Sequence, residues 1–145
     1  MDLITFEQAK KLKELGLEEL CLHYYESSGY LRETQYLPIG GVVEYSDLLQ
    51  SNKSLELQGI FFSCPTQAQV VEWLRVTHQI FVSVRLTDIS ERKFNYASSI
   101  WFFNEKEQGC IDEYSSKIDA QKWRLDSPQK AYSVAFDYIF NNYKF

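Results

Sequence analysis

The sequence predicts a single α+β domain, in which a largely antiparallel sheet has helices packed on one face. The chain of 145 residues has the length of one ordinary domain, and no Pro-, Gly- or Ser-rich linker divides it. Apolar residues recur at helical spacing near both ends, whereas QIFVSVRL alternates with the period of a strand. The short polar connection TDISERK between two predicted strands favours antiparallel pairing.

The first predicted helix covers residues 4–16. Thr5 is followed three positions later by Gln8, which is the reciprocal capping pattern of a helix start. Gly16 supplies the left-handed residue that ends it. The apolar side of this helix consists of Phe6, Ala9, Leu12 and Leu15.

Strands are predicted near residues 20–25, 30–37 and 55–63. Two aromatic-rich stretches flank Ser27, Ser28 and Gly29, a composition typical of strand, turn and strand. Between the second and third strands, Ser46 and Asp47 would cap a brief helix over Leu48 and Leu49.

The second half is predicted as a helix at 66–77 and strands at 79–86 and 94–103. Pro65 is expected in the first helical turn, where its missing N–H is tolerated. The predicted apolar face of this helix consists of Ala68, Val70, Val71, Trp73 and Leu74. Ile80, Val82, Val84 and Leu86 alternate with a second set of residues, which indicates a half-buried strand. The second set is Gln79, Phe81, Ser83 and Arg85.

Residues 104–126 admit two interpretations, a charged loop or strands at Cys110–Tyr114 and Lys122–Leu125. The last helix is predicted at 128–142, with Ser127 as its cap and Pro128 in its first turn. Its apolar stripe consists of Ala131, Val134, Ala135, Tyr138 and Ile139. Buried Trp73, Trp101 and the Val134 stripe are the expected core.

Composition and charge narrow the classes of partner. The formal charge is −5, and residues 1–64 carry 5 Lys or Arg against 10 Asp or Glu. Because nucleic acids are bound by clustered positive charge, a nucleic-acid partner is disfavoured. No stretch is apolar enough to predict a membrane span, and MDLITFEQAKK lacks the pattern of a secretory leader. Three widely spaced cysteines do not resemble a disulfide framework, so we expect a cytoplasmic location.

The stretch LCLHYYE raises the question of a thiol and imidazole site. On a strand, Cys21 and His23 share a face, but zinc normally takes four ligands. The remaining candidates are Cys64, Cys110 and His78, each isolated in sequence. A small enzyme or metal-binding protein built on these five residues is therefore the alternative hypothesis, and a simple strand is the first interpretation.

A cluster of tyrosines favours recognition. Rings with a polar handle suit binding surfaces, and five of them occur within some twenty residues. The predicted surface consists of Tyr24, Tyr25, Tyr30, Tyr36 and Tyr45.

Motifs of catalysis are missing from the sequence. Gly40 and Gly41 are not followed by the Lys-Ser/Thr helix start of a phosphate loop, and no serine stands in a nucleophile elbow. The acidic stretch NEKEQGCIDEYS matches no calcium loop. We therefore predict no catalytic residues and no cofactor. The order of elements from Pro65 onward is shared with double-stranded RNA-binding domains, but the last helix begins with only one lysine, Lys130.

Three segments, ITFEQAKKLKELG, TQAQVVEWLR and SPQKAYSVAFDYIFNN, resemble a group of small uncharacterised proteins of Bacteroidetes bacteria and of their phages and mobile elements. The resemblance covers about 39 residues of the chain. It implies a cytoplasmic accessory protein and identifies no functional residue. The preferred hypothesis is a non-catalytic binding or accessory protein with a protein partner and a capacity for homo-oligomerisation, followed by the Cys/His alternative and then by a double-stranded RNA-binding module.

Overall fold

The protein has a mixed α+β fold with antiparallel sheets, as predicted. A computed structural model describes residues 2–18, 21–33, 61–90, 93–104, 109–112 and 125–145. Among these residues the strands form two three-stranded sheets, both antiparallel. The elements are α1 (Phe6–Glu14), β1 (His23–Glu26), β2 (Leu31–Glu33), β3 (Phe61–Cys64), α2 (Gln67–His78), β4 (Ile80–Ser90), β5 (Lys93–Asn104), β6 (Gly109–Asp112) and α3 (Pro128–Asn142).

Some predicted elements lie outside the residues that the structure describes, and one uncertain region contains a strand. The brief helix over Leu48 and Leu49 lies outside the described residues, as do positions 34–37 and 55–60 of two predicted strands. In the region predicted as loop or strand, β6 pairs with β5, and Leu125 forms an isolated bridge with Tyr96. The strand alternative is therefore correct for residues 109–112.

The chain divides into two compact units, Met1–Gln69 and Val70–Phe145. In the first unit the strand order is β2-β1-β3, and α1 packs against β3. In the second unit the order is β4-β5-β6, and α3 packs against β4 and β5. One domain over residues 1–145 stays a prediction.

Helices α1 and α2 begin with the same pair of side-chain hydrogen bonds. The Thr5 N–H donates to Oε1 of Gln8 at 3.1 Å, and the Gln8 N–H donates to Oγ1 of Thr5 at 3.3 Å. Thr66 and Gln69 repeat this exchange at 2.9 and 3.2 Å. Each exchange satisfies two N–H groups that a helix start leaves without a partner. The prediction that Pro65 lies in the first turn of α2 is therefore wrong, because the helix begins at Gln67.

The core of the second unit lies between α3 and the inward face of its sheet. Ile80 and Ile100 are fully buried, and Val82 beside them is nearly so. Pro128 does stand at the start of α3, whose N-cap Ser127 accepts from the Lys130 N–H at 3.3 Å. The buried side of α3 consists of Ala131, Ala135, Phe136, Ile139 and Phe140.

Two expected core features are corrected by this register. Trp101 is 38% exposed because it lies directly opposite Phe81, on the face that points away from α3. On α3, Val134 and Tyr138 are only half-buried, because they lie at the margin of a buried side that includes Phe136 and Phe140. Trp73, by contrast, is buried as predicted. In α2 the buried side consists of Val70, Trp73 and Leu74, whereas Ala68 is exposed.

A search of the described helices finds none that is both long and apolar enough to cross a membrane.

Candidate functional site

The β1–β2 hairpin separates the predicted tyrosines onto two faces. Successive side chains of a strand point to opposite sides, so Tyr24 and Glu26 share one face while His23 and Tyr25 share the other. Tyr24 is paired with Arg32 of β2, and Tyr25 is paired with Leu31. Residues that lie directly opposite each other share a face, so this pairing extends both faces across the hairpin.

One of the two faces collects aromatic rings around an ion pair. The Glu26 N–H donates to the carbonyl oxygen of Tyr30 at 3.0 Å, which places Tyr30 opposite Glu26 at the end of the hairpin. On the other side of β1, Glu26 is paired with Phe61 of β3. We call this surface the outward tyrosine face, defined by the residues on it that are not buried: Tyr24, Glu26, Tyr30, Arg32 and Phe61. Ser63, opposite Tyr24, is buried.

The centre of the outward tyrosine face is held by charge and ring contacts. Arg32 Nε lies 2.8 Å from Oε1 of Glu26, and this hydrogen bond, followed by the negative charge of the same carboxylate, raises the pKa of Arg32. The rings of Tyr24 and Phe61 meet edge to face, with centroids 5.4 Å apart. Exposure is greatest near the hairpin turn. Tyr30 is 70% exposed there, whereas Tyr24 and Phe61 are half-buried.

Tyr25, on the opposite face, has a packing role. Its hydroxyl donates to the carbonyl oxygen of Ile4 at 2.9 Å, and its ring meets Phe6 edge to face at 5.4 Å. Burial raises the pKa of Tyr25 to about 12, and the neighbouring Cys64 adds to the shift. The Cys64 thiol donates to the same Ile4 carbonyl at 3.7 Å, and burial raises its pKa to about 11. These contacts join β1 and β3 to the chain just before α1.

The raised pKa values predict a loss of stability at alkaline pH. A hydroxyl whose pKa is higher in the folded than in the unfolded state contributes stability that is complete below the unfolded value of 10.0 and is lost as the pH rises toward 12. We expect Tyr25→Phe to flatten this decline between pH 10 and 12. The measurement is the free energy of unfolding in urea from pH 8 to 12, with Tyr30→Phe as the matched control on an exposed ring. Equal slopes for the two variants would contradict the role given to Tyr25.

Of the five cysteine and histidine candidates, the structure brings two together. His23 of β1 lies directly opposite Cys64 of β3. Cys21 and Cys64 are both buried, and Cys21 belongs to the same unit. Cys110 lies within β6, in the second unit. A search of the described residues finds no group of three His, Cys, Asp or Glu side chains that could hold a metal ion. The raised pKa of Cys64 also keeps its thiol protonated near neutral pH, which disfavours nucleophilic chemistry there.

His78, the fifth candidate, is part of an aromatic cluster in the second unit. Its ring lies 4.5 Å from the Trp73 ring and 4.8 Å from the Phe145 ring, measured between centroids. Tyr143 connects this cluster to β5, because its ring stacks on Phe102 at 5.1 Å. Burial lowers the pKa of His78. The imidazole therefore serves here as a packing group for the chain end.

Sequence reasoning identified Tyr24 and Tyr30 but missed Glu26, Arg32 and Phe61. The first two carry a signal, since a hairpin turning at Ser27–Gly29 aligns Glu26 and Arg32 with the tyrosines by alternation. Phe61 joins them only through the pairing of β1 with β3, for which local sequence holds no cue. Tyr36 and Tyr45 lie outside the described residues.

Comparison of the chain with protein-family models, with curated proteins and with solved structures finds no match in any of the three.

Proposed function

We propose that this protein is a non-catalytic binding protein, and that the outward tyrosine face contacts a protein partner. The observation that carries the proposal is the convergence of Tyr24, Tyr30 and Phe61 on one face around Arg32. Tyrosine and arginine are enriched among the residues that dominate the energy of protein interfaces. The half-buried rings provide a pre-ordered base, and exposed Tyr30 provides area that a partner would cover.

The ion pair supports a protein rather than a nucleic acid as partner. Among the residues that the structure describes, Arg32 is the only cation of the outward tyrosine face, and its charge is balanced by Glu26 at 2.8 Å. A phosphate backbone would have to compete with this carboxylate and with the acidic excess of residues 1–64. A protein segment meets the same face with apolar contacts and hydrogen bonds, which need no net positive charge.

The resemblance of three helical segments to proteins of Bacteroidetes bacteria and their mobile elements extends the proposal. It supports a cytoplasmic accessory role in association with a phage or mobile element. In this role the partner is a host or phage protein.

Affinity capture followed by a binding measurement tests the proposal. The full-length protein is used to capture its partner under native conditions, and the affinity for the purified partner is then measured by calorimetry. We expect the Tyr30→Ala/Arg32→Ala double variant to bind about tenfold to a hundredfold more weakly, because tyrosine and arginine are enriched among the interface residues that carry most of the binding energy. Phe94→Ala is the matched control, since Phe94 is 53% exposed in the second unit. Equal affinities for the double variant and the wild type would refute the assignment of this face.

A further inference from the structure

Among the strands that the structure describes, β4 lies at an edge of its sheet. Within the described residues the strand order is β4-β5-β6, so β4 has a neighbouring strand on one side only. Its pairing with β5 is regular over seven successive residues, Ile80 to Leu86, and the register then shifts between Leu86 and Asp88. A regular edge presents a row of backbone N–H and C=O groups that another strand can bind.

Part of this edge carries exposed side chains, whereas Ile80 and Val82 are buried, and two of the exposed side chains are apolar. Phe81 is 39% exposed and Leu86 is 46% exposed. Arg85 is also exposed, and it forms no ion pair with the residues that the structure describes. Natural edge strands are often protected by charged residues, prolines or bulges. Between Ile80 and Leu86 the only charge is Arg85, and the sequence has no proline there.

We propose that β4 pairs antiparallel with β4 of a second copy of this chain, around a two-fold axis at Ser83. Full overlap of the regular segment sets this register. Ile80 then lies opposite Leu86 of the second copy, and Ser83, the middle residue of the seven, lies opposite its own equivalent. The β4-β5-β6 sheets of the two copies then form one continuous sheet of six described strands.

The register is self-complementary. It places Phe81 opposite Arg85 of the second copy on the face away from α3, where a guanidinium beside an aromatic ring is attracted by the ring. On the other face, it places exposed Leu86 beside Ile80 of the second copy. The two Arg85 side chains stay about 13 Å apart along the strands, from four residues at about 3.3 Å each. A register centred on Arg85 would instead bring the two like charges directly opposite each other.

This pairing is independent of the outward tyrosine face, which belongs to the first unit. It gives a specific form to the capacity for homo-oligomerisation that was expected from the sequence.

Sedimentation velocity of the full-length protein over a range of concentrations tests the association. We expect a monomer–dimer equilibrium, and we expect Ser83→Lys to weaken it at least tenfold, because two ammonium groups would meet at the two-fold axis. Thr77→Lys is the matched control, since it adds the same charge at an exposed residue of α2 and leaves the dissociation constant unchanged. Circular dichroism checks that both variants are folded.

Cysteine cross-linking tests the register itself. Opposite residues of antiparallel strands have Cα atoms roughly 4.5–5.5 Å apart, which a disulfide can span. Mild oxidation is therefore expected to convert Ser83→Cys to a covalent dimer, whereas Arg85→Cys and the wild type stay uncross-linked. A monomer at every concentration would overturn the proposal. So would a dimer in which Ser83→Lys has no effect, or a cross-link through Arg85→Cys in place of Ser83→Cys.

Discussion

The Phe136→Ala variant is expected to lose about 3–5 kcal/mol of unfolding free energy, the range found when a buried phenylalanine is removed from a core. Phe136 is fully buried in α3, and its ring stacks with Phe140 at 6.1 Å and with Tyr132 at 6.2 Å. Removal of the ring leaves a cavity beneath the inward face of the second sheet, and neighbours in regular elements cannot close over it fully. Urea unfolding followed by tryptophan fluorescence measures the change.

Phe94→Ala is the control for this experiment, because it removes the same side chain from a position that is 53% exposed in the same unit. We expect it to change the stability by about 1 kcal/mol or less, as is usual for a surface substitution. If both variants lost equal stability, the core of the second unit would not be centred on α3. A midpoint shift with an unchanged slope in urea would show that the denatured state is the same in both.

The Gly29→Ala variant is expected to lose about 2 kcal/mol. Gly29 has a φ of +84°, in the left-handed region where a Cβ costs about 1–2 kcal/mol. An added Cβ would also lie 3.3 Å from Cδ1 of Phe6, whose ring is already packed against Tyr25 and Phe62. The substitution therefore strains the hairpin turn and displaces a ring that joins α1 to the first sheet.

Gly16→Ala separates these two contributions. Gly16 has nearly the same φ of +82°, but nothing lies within 4 Å of its added Cβ. We expect this variant to lose about 1 kcal/mol, from the backbone alone. Thermal unfolding of both variants gives the comparison. Equal losses at the two positions would show that the Phe6 contact adds no strain.

The helices were predictable because their start signals are local. The Thr5 and Gln8 exchange needs only residues three apart, and Ser127 with Pro128 defines the start of α3 in the same way. Thr66 and Gln69 carried an equally local signal, which the neighbouring Pro65 obscured. The strand period of residues 80–86 was likewise readable, because alternation reports which side chains one face buries.

The composition of each face was decided by pairing between distant segments. Trp101 was expected in the core, but its position opposite Phe81 places it on the outward face of the sheet. Alternation within β5 offers two faces of similar apolarity, and only the partner strand selects one of them. The division of the strands into two sheets has the same origin, since a strand's partner is chosen by long-range contacts.

The amino-acid sequence by itself determined the α+β class, the helix starts, the strand periods and the acidic balance, all of which depend on residues close together in the chain. Only the tertiary structure decided that Tyr24 and Tyr30 face outward with Phe61, that Tyr25 hydrogen-bonds Ile4, and that His23 meets Cys64. Those contacts join residues that lie from 21 (Ile4 and Tyr25) to 41 (His23 and Cys64) positions apart in the chain. Their formation follows from burying apolar surface across the whole unit, and no short window of sequence carries that information.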